Sequence, residues 1–200
     1  MRTWTLALSA LTVAGIGLSP AYAQAETLEF CGQVLPLTSE GFECAFEQVS
    51  DVSPLTALTR LQWLDIIDVP VSDVRPLAEL GSLSRLALVA IPLSDVSPLS
   101  GLVGLTSLNL RSTQVEDLRP LSGLTNLTSL DLFGTPVTDL SPLSGLTNLR
   151  LLVLIGTRVT DLSPLSGLSG LERLNLVSTQ VSPEEVEALK RALPGCEIIQ

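Results

Sequence analysis

Six aspartates recur at a constant spacing and are the first candidates for chemistry. They stand 22 residues apart, each opening the string Asp-(Val/Leu)-x-Pro-Leu: Asp51, Asp73, Asp95, Asp117, Asp139 and Asp161. If the intervening segments stack, neighbouring carboxylates lie about 5 Å apart, close enough to share Ca²⁺, which prefers oxygen ligands. Capping is the simpler interpretation, because an Asp carboxylate accepts backbone N–H groups and the following Pro suits a first helical turn. We predict six structural caps without metal, with calcium binding as the alternative.

Conventional catalytic groups are scarce in the sequence. It contains no His, which is the commonest general base, and its one lysine is Lys190. Because the sequence offers no His and no Lys base near a nucleophile, we interpret the many Ser-Gly strings as turns. These strings also lack the Lys of a phosphate-binding loop. We therefore predict a protein that is not an enzyme, with no catalytic residue, no cofactor and no metal site.

The charge and the first residues limit the partners and the compartment. The sequence has 11 Lys and Arg against 21 Asp and Glu, a net charge of −10, and it shows no basic patch. Such a chain is repelled by nucleic-acid phosphates, so we predict no nucleic-acid partner. Residues 1–23 combine Arg2, an apolar stretch and an Ala-Tyr-Ala cleavage signal, which is typical of a secretory signal peptide. We expect export to the periplasm or the extracellular space, without membrane insertion.

The cysteines fit an oxidising compartment. Cys31 and Cys44 are close in sequence, and we predict a disulfide between them that contributes roughly 2–4 kcal/mol; two free buried thiols are the alternative. The third, Cys196, falls in register with a core leucine of the repeat described next. We expect it to be a buried, unpaired thiol; a reactive or intermolecular cysteine is the alternative.

Leucines share the 22-residue period. With each Asp as position 1, positions 5, 8, 11 and 14 are Leu in all six units, and position 16 is Leu or Ile. Residues 105–110 end in alternating apolar and polar side chains, which predicts a short strand in a parallel sheet of stacked units. The segment after each Asp is too short for an α-helix and predicts one 3₁₀ turn. Glycines are expected to permit a sharp exit from four turns: Gly101, Gly123, Gly145 and Gly167.

Residues 127–146 read L-x-x-L-x-L-x-x-T-x-V-x-D-L-x-P-L-x-x-L, which resembles the 22-residue bacterial leucine-rich repeat of the internalin type. The resemblance implies an α/β solenoid, a right-handed superhelix with a parallel β-sheet on its concave face and 3₁₀ turns on its convex face. One departure is that Thr113, Thr135, Thr157 and Thr179 replace the family's buried Asn, which bonds neighbouring loops; Val69 and Ile91 stand there earlier. The resemblance does not transfer the host-cell adhesion role of internalins.

Both ends of a solenoid require caps, because the terminal units expose their core. We assign residues 24–50 to an N-terminal cap, 51–182 to six repeats and 183–200 to a C-terminal cap helix with a final strand. Counting from the repeat places Phe42 and Cys44 at positions 14 and 16, and Leu193, Cys196 and Ile198 at positions 11, 14 and 16 of a seventh unit. The string Ser-Pro-Glu-Glu at 182–185 is a capping box, which predicts a short α-helix.

Strand positions 13, 15 and 17 point away from the core onto the concave face. Several are large and apolar where water is expected, and such a surface usually marks an interface. We predict a partner-binding face formed by Trp63, Asp65, Ile67, Arg85, Val89, Arg111, Asp131, Phe133, Leu151, Val153, Ile155, Arg173 and Val177.

A protein or peptide ligand fits this face best. A glycan ligand and a homo-oligomer formed through the same face are the alternatives, and a third is that hydrophobic residues there simply suit strands. The sequence therefore predicts an exported binding module and leaves the partner open.

Overall fold

The computed structural model describes residues 26–200, so the predicted signal peptide lies outside the described residues. The main element is an eight-stranded parallel sheet in which each strand pairs with the equivalent strand of the next unit. Its strands are β3 Gly41–Ala45, β4 Trp63–Ile67, β5 Arg85–Val89, β6 Ser107–Asn109, β7 Ser129–Asp131, β8 Leu151–Val153, β9 Arg173–Asn175 and β10 Glu197–Ile199. Strands β1 Thr27–Phe30 and β2 Gln33–Pro36 form a separate antiparallel hairpin. No helix in this part of the chain is long and apolar enough to cross a membrane.

The return path of each unit forms one 3₁₀ turn on the convex side, as the sequence predicts. The six turns are Ser53–Ala57, Arg75–Glu79, Ser97–Gly101, Arg119–Leu121, Ser141–Leu143 and Ser163–Leu165. Between turns and sheet lies a continuous leucine core; in the fourth unit Leu121, Leu124, Leu127, Leu130 and Leu132 are all fully buried. Full burial of one such side chain contributes about 1.5–3 kcal/mol. No unit encloses its own leucines, so stacking completes the core.

The six aspartates begin the turns, but not as the N-cap residue. Val or Leu takes the N-cap position one residue later, because the Asp side chain folds over the chain in an Asx turn. In every unit the Asp Oδ1 accepts the N–H two residues on, at 2.8–3.0 Å. The predicted N-cap position is therefore wrong by one residue, while the carboxylate does satisfy a backbone N–H of its own turn.

The sharp bend of each unit lies at position 18, one to three residues after the strand ends, and not at the four turn glycines. Seven residues in equivalent positions have a positive φ of 51–69°: Phe46, Asp68, Ala90, Ser112, Gly134, Gly156 and Ser178. The turn glycines have no positive φ, and a Cβ added to any of them would meet nothing within 4 Å. The expectation that those glycines permit the exit is therefore wrong. Of these seven, only Gly134 and Gly156 are glycines, although L side chains enter the left-handed region at a cost.

The buried threonines bond within their own unit. Thr113, Thr135 and Thr157 donate their hydroxyl hydrogens to the carbonyl three residues earlier, each at 2.7 Å. Threonine is too short to reach the next unit as a longer Asn side chain would. Side-chain links between units are made at other positions, among them Asn126 and Asn148, whose side-chain amides donate across the stack to Val103 and Thr125 at 2.9 Å.

The N-terminal cap is an extra half-unit closed by the hairpin. Strand β3 pairs with β4 so that Phe42 lies opposite Leu64 and Cys44 opposite Ile66, which confirms the predicted register. A disulfide joins Cys31 to Cys44, with their Cα atoms 5.8 Å apart. The rings of Phe30 and Phe42 pack edge to face with centroids 5.7 Å apart, so the hairpin covers the first leucines.

The C-terminal cap is helix α1, Pro183–Ala192. Its N-cap Ser182 accepts the N–H of Glu185 through Oγ at 3.2 Å, which is half of the predicted capping box. The Glu185 carboxylate does not close the box; it accepts the N–H of Leu162, in the preceding repeat, at 3.1 Å. Val186 and Leu189 bury the apolar side of the helix against the last unit. Helix and stack are thus joined by one carboxylate and an apolar stripe.

The register expected for the last strand is wrong by two residues. Ile198 lies opposite Leu174, so Ile198 and not Cys196 takes position 14. The α-helix and its exit use two residues more than a 3₁₀ turn does, and the strand shifts accordingly. Cys196 consequently lies outside the leucine core, partly buried at the edge of the sheet. Burial raises the pKa of its thiol, which keeps it protonated at neutral pH.

Candidate binding face

The concave face is formed by the strand residues that alternate with the core. In β4, Leu64 and Ile66 are buried among the leucines, so Trp63, Asp65 and Ile67 project from the opposite side of the sheet. The same alternation holds along the stack, because every pair of neighbouring strands is in register. Nine of the thirteen residues predicted for the binding face lie in these strands and therefore share one surface, whereas Arg111, Phe133, Ile155 and Val177 follow the ends of their strands by two residues.

Their exposure is uneven. Arg85, Arg111 and Arg173 are exposed, and Trp63 is 39% exposed. Eight residues are half-buried: Ile67, Val89, Asp131, Phe133, Leu151, Val153, Ile155 and Val177. Asp65 is only 6% exposed. Adjacent strands lie about 4.8 Å apart, so large side chains in register cover each other. The sequence pattern shows which way these side chains point but not how far they shield one another.

The C-terminal half of the face is apolar around one cation that has no carboxylate partner among the described residues. The guanidinium of Arg111 lies over the ring of Phe133, 4.0 Å from its centroid. Beyond Phe133 follow Leu151, Val153 and Ile155, which we call the aliphatic row. Arg111 forms no ion pair with any residue that the structure describes. An aromatic ring thus holds a guanidinium in place while its N–H groups stay available.

Asp131, predicted to contact a partner, has a structural bond as well. Its Oδ1 accepts the N–H of Phe133 at 2.8 Å, and Asn109 and Asn175 make the same bond to Arg111 and Val177. These side chains take an N–H beyond the strand end, and β6, β7 and β9 are three residues long where β4 and β5 have five. They fix the backbone that presents Arg111 and Phe133.

The N-terminal half of the face is polar and aromatic. Arg85 bonds Oδ2 of Asp65 through Nη2, and its guanidinium lies 5.7 Å from the centroid of Trp63. The indole lies over Gly41 of β3, where an added Cβ would be 1.8 Å from Cε2. Glu43 stands in register with Asp65 on the neighbouring strand. Sequence reasoning missed Gly41 and Glu43, although counting back from Phe42 and Cys44 places both on the concave face.

The edge where the chain enters the strands is bonded across the whole stack. Hydroxyls of Ser84, Thr106 and Thr128 each donate to the carbonyl 22 residues earlier at 2.9–3.0 Å. In the last units charged pairs take over, Arg150 with Glu172 and, at 2.8 Å, Arg173 with Glu197. Arg173, predicted for partner binding, is thereby already paired.

The convex carboxylates are held one turn at a time. A side-chain bond from Arg75 lowers the pKa of Asp73 to about 2, and Arg119 lowers the pKa of Asp117 in the same way. Backbone N–H groups lower the pKa of Asp95 and Asp139, since they favour the charged form. No group of three or more Cys, Asp or Glu side chains within residues 26–200 is placed to hold a metal ion.

Three exposed apolar side chains lie outside the predicted face: Phe46 is 75% exposed, Val34 68% and Val103 57%. Phe46 follows β3 at the left-handed bend, and Val103 lies between a convex turn and the next strand. Val34 is in the hairpin strand β2. They are scattered singly, and single exposed apolar residues are common on protein surfaces.

Comparison with known proteins agrees with this architecture. A model of leucine-rich repeats in two copies matches residues 103–145. Internalin C2 of Listeria monocytogenes superposes with a TM-score of 0.76 at 30% identity, covering 86% of this chain and 76% of that one. The Listeria internalin inlF gives 0.77 at 27% identity, covering 84% and 50%. A leucine-rich-repeat protein of Leptospira interrogans gives 0.71 at 26% identity, covering 76% and 40%.

The chain spans half the length of inlF and a larger share of internalin C2. A search by sequence among curated proteins finds no match. An identity of 30% over 86% of this chain and 76% of internalin C2 shows a common family. The 22-residue period, parallel sheet and 3₁₀ turns of this chain agree with that relationship. The chain belongs to the internalin-type leucine-rich-repeat proteins of bacteria.

Proposed function

We propose that the chain is an exported, non-catalytic binding module that holds a protein or peptide partner on its concave face. Leucine-rich-repeat folds generally mediate protein–protein binding, and the neighbouring internalins fit that role. The observation that carries the proposal is the Arg111–Phe133 pair beside the aliphatic row. Export rests on the predicted signal peptide and agrees with the Cys31–Cys44 disulfide.

The C-terminal half of the face has the composition of an interface centre. Arginine and aromatic side chains are enriched among residues that dominate binding energy, especially where they are well packed. Phe133 is half-buried, and its backbone is fixed by Asp131, so little conformational freedom remains to be lost on binding. The half-buried aliphatic row extends the apolar area, and polar residues surround it.

The test is recovery of a partner from the native exported fraction by the full chain as bait. The double variant Phe133→Asp with Leu151→Asp should lose the partner, because two carboxylates would be desolvated in an apolar contact. Val103→Asp is the matched control, since it makes the same type of change at an exposed apolar residue off the concave face. All variants are checked by thermal unfolding.

Retained binding in the folded double variant would move the site away from this half of the face. Loss of binding in Val103→Asp as well would show a non-specific effect of added charge. A glycan array and a size determination of the pure protein separate the alternatives: a glycan ligand gives array binding, and self-association through this face gives a larger species that the double variant reduces to monomers.

A further inference from the structure

One position of the repeat forms a continuous strip along the concave face. Position 17 directly follows a buried core residue in every repeat, so its side chain projects from the concave side. The pairing continues where four of the strands have ended, because the N–H after each strip residue donates to the strip carbonyl of the next repeat at 2.7–3.0 Å. Neighbouring strip residues are therefore in register across the stack. The strip consists of Ile67, Val89, Arg111, Phe133, Ile155 and Val177.

The strip is apolar except at Arg111, and a partner can reach it. Its five apolar side chains are half-buried, and Arg111 is exposed. The residue that follows, at position 18, is exposed in every repeat and is small in all but the first, where Asp68 stands. These small residues are Ala90, Ser112, Gly134, Gly156 and Ser178. Because their side chains are short, they do not obstruct a ligand that lies along the strip.

The spacing of the strip matches one turn of an α-helix. Adjacent strands lie about 4.8 Å apart, so the strip is about 24 Å long. A helix that lies across the strands presents a side chain on the same face every turn, about 5.4 Å, and five turns exceed the strip by only about 3 Å. An extended peptide presents alternate side chains about 6.8 Å apart, and five such intervals exceed the strip by about 10 Å. The strip therefore favours a helical ligand of about 16 residues.

Arg111 adds a charge requirement near the middle of the strip. Its guanidinium lies 4.0 Å from the ring centroid of Phe133 and forms no ion pair with any described residue. The carboxylate of Asp131 accepts the N–H of Phe133 through Oδ1 and does not pair with Arg111. A carboxylate of the ligand would form two parallel hydrogen bonds with the exposed guanidinium. A helix with one acidic residue among its apolar ones thus matches the strip in charge as well as in spacing.

We propose that the strip binds an amphipathic α-helix of the partner, which lies across the strands with a carboxylate on the turn that faces Arg111. Apolar residues three or four apart on the helix contact Ile67 and Val89 on one side of Arg111. On the other side they contact Phe133 and Ile155, while the polar side of the helix stays in water. The inference rests on the proposed function, since it names the kind of partner. It also extends the contact from the C-terminal half of the face to both halves.

The test selects ligands for the full chain from displayed random peptides of about 20 residues, long enough to cover the strip as a helix. Peptides that bind elsewhere are first removed on the Phe133→Asp with Leu151→Asp variant. The enriched peptides should repeat apolar residues every three to four positions, with Asp or Glu near the middle. A synthetic copy of one enriched peptide should become more helical on binding, as measured by circular dichroism, and its affinity is measured by titration.

An exchange of charges locates the carboxylate. Arg111→Gln should weaken binding of this peptide by about tenfold, and so should glutamine in place of the peptide's acidic residue, because each breaks a hydrogen-bonded charged pair. The two changes together should cost little more than either alone, since both remove the same contact. Arg60→Gln is the matched control: it removes the charge of an exposed arginine that precedes β4, off the strip, and should change the affinity by less than about twofold.

A second variant tests the length of the contact. Ile67→Asp should weaken peptide binding by at least about tenfold, because it desolvates a carboxylate in the N-terminal half of the strip. Unchanged affinity in the folded Ile67→Asp chain overturns the inference that one helix spans both halves. Because Arg111 is exposed, its variant keeps the test valid even if Ile67→Asp fails to fold.

Three other results overturn the inference: enriched peptides without the helical period, no enrichment, or additive losses from the two charge changes. The proposed function is tested separately by the native partner. Loss of that partner in the Phe133 and Leu151 variant supports the function even where the peptides show no helical pattern. Its retention contradicts the function at this face even where helical peptides bind.

Discussion

At the scale of single residues, the convex aspartates each act within their own turn. Asp73 and Asp117 pair with an Arg two residues on, while Asp95 and Asp139 bond mainly to backbone N–H groups. Both kinds of contact favour the ionised carboxylate in the folded state. The sequence showed the six-fold recurrence, but it could not show whether the carboxylates share a cation or serve separate turns, since that depends on the direction of each side chain.

These carboxylates give the protein an acid-sensitive stability. Their folded-state pKa values lie below the unfolded value of about 3.9, so their stabilisation is complete above that pH and is lost as the pH falls toward 2. Urea unfolding between pH 6 and 2 should show this decline. Asp73→Asn keeps an acceptor for the Arg75 N–H and should flatten the decline. A wild-type stability that is constant down to pH 2 would contradict the assignment.

Glycines at position 18 have a positive φ, whereas the glycines of the 3₁₀ turns do not, and the two kinds should respond differently to substitution by alanine. Gly134→Ala should lower the free energy of unfolding by roughly 1 kcal/mol, because Ala at a φ of 68° is strained even where space is free. Gly101→Ala is the control. It ends a 3₁₀ turn with open space around it, and it should be neutral or stabilising by up to about 1 kcal/mol. Equal losses in the two variants would refute the role of position 18.

At the scale of elements, the cap helix α1 replaces a repeated 3₁₀ turn by an element of a different type. The repeat length implies a seventh unit in register, but an α-helix advances the chain differently from a 3₁₀ turn. The last strand consequently pairs with a shift of two residues. The capping box predicted the helix, but the 22-residue period could not predict the shift, because no earlier unit contains that connection.

The carboxylate of Glu185 should matter more than its neighbour in the same helical turn. Glu185→Ala leaves the Leu162 N–H without its acceptor and should cost about 1 kcal/mol of stability. Glu184→Ala removes a carboxylate from the same turn of α1 and should cost only about 0.3–0.5 kcal/mol through the helix dipole. Chemical denaturation of both variants decides between them. A larger loss in Glu184→Ala would show that dipole effects outweigh the contact between helix and stack.

At the scale of the whole molecule, the repeated leucines made the architecture predictable. The alternation of buried and other side chains, as at Leu64 and Ile66 in β4, identified the core side of each strand. The strand residues that alternate with these leucines had to face the concave side. The sequence left open the side-chain contacts between neighbouring units. The covering of Asp65 by Arg85 and the placing of Trp63 over Gly41 join residues of different units, and a period of 22 does not describe contacts between unlike neighbours. The polar and aromatic character of the N-terminal half of the candidate face becomes visible only through these contacts.

Stacking between successive units also determines how the molecule responds to force. Pulled by its ends, a chain whose units touch only their neighbours should unravel from one terminus in steps. Each step would free 22 residues, about 70 Å of extended chain. The folded unit that is lost contributed only one strand spacing to the length of the stack. The Cys31–Cys44 bond withholds the segment it encloses, so the N-terminal half-unit releases less length than its residue number implies. Under force the protein is a series of units of nearly equal extension, and the disulfide-bonded unit is the one that extends least.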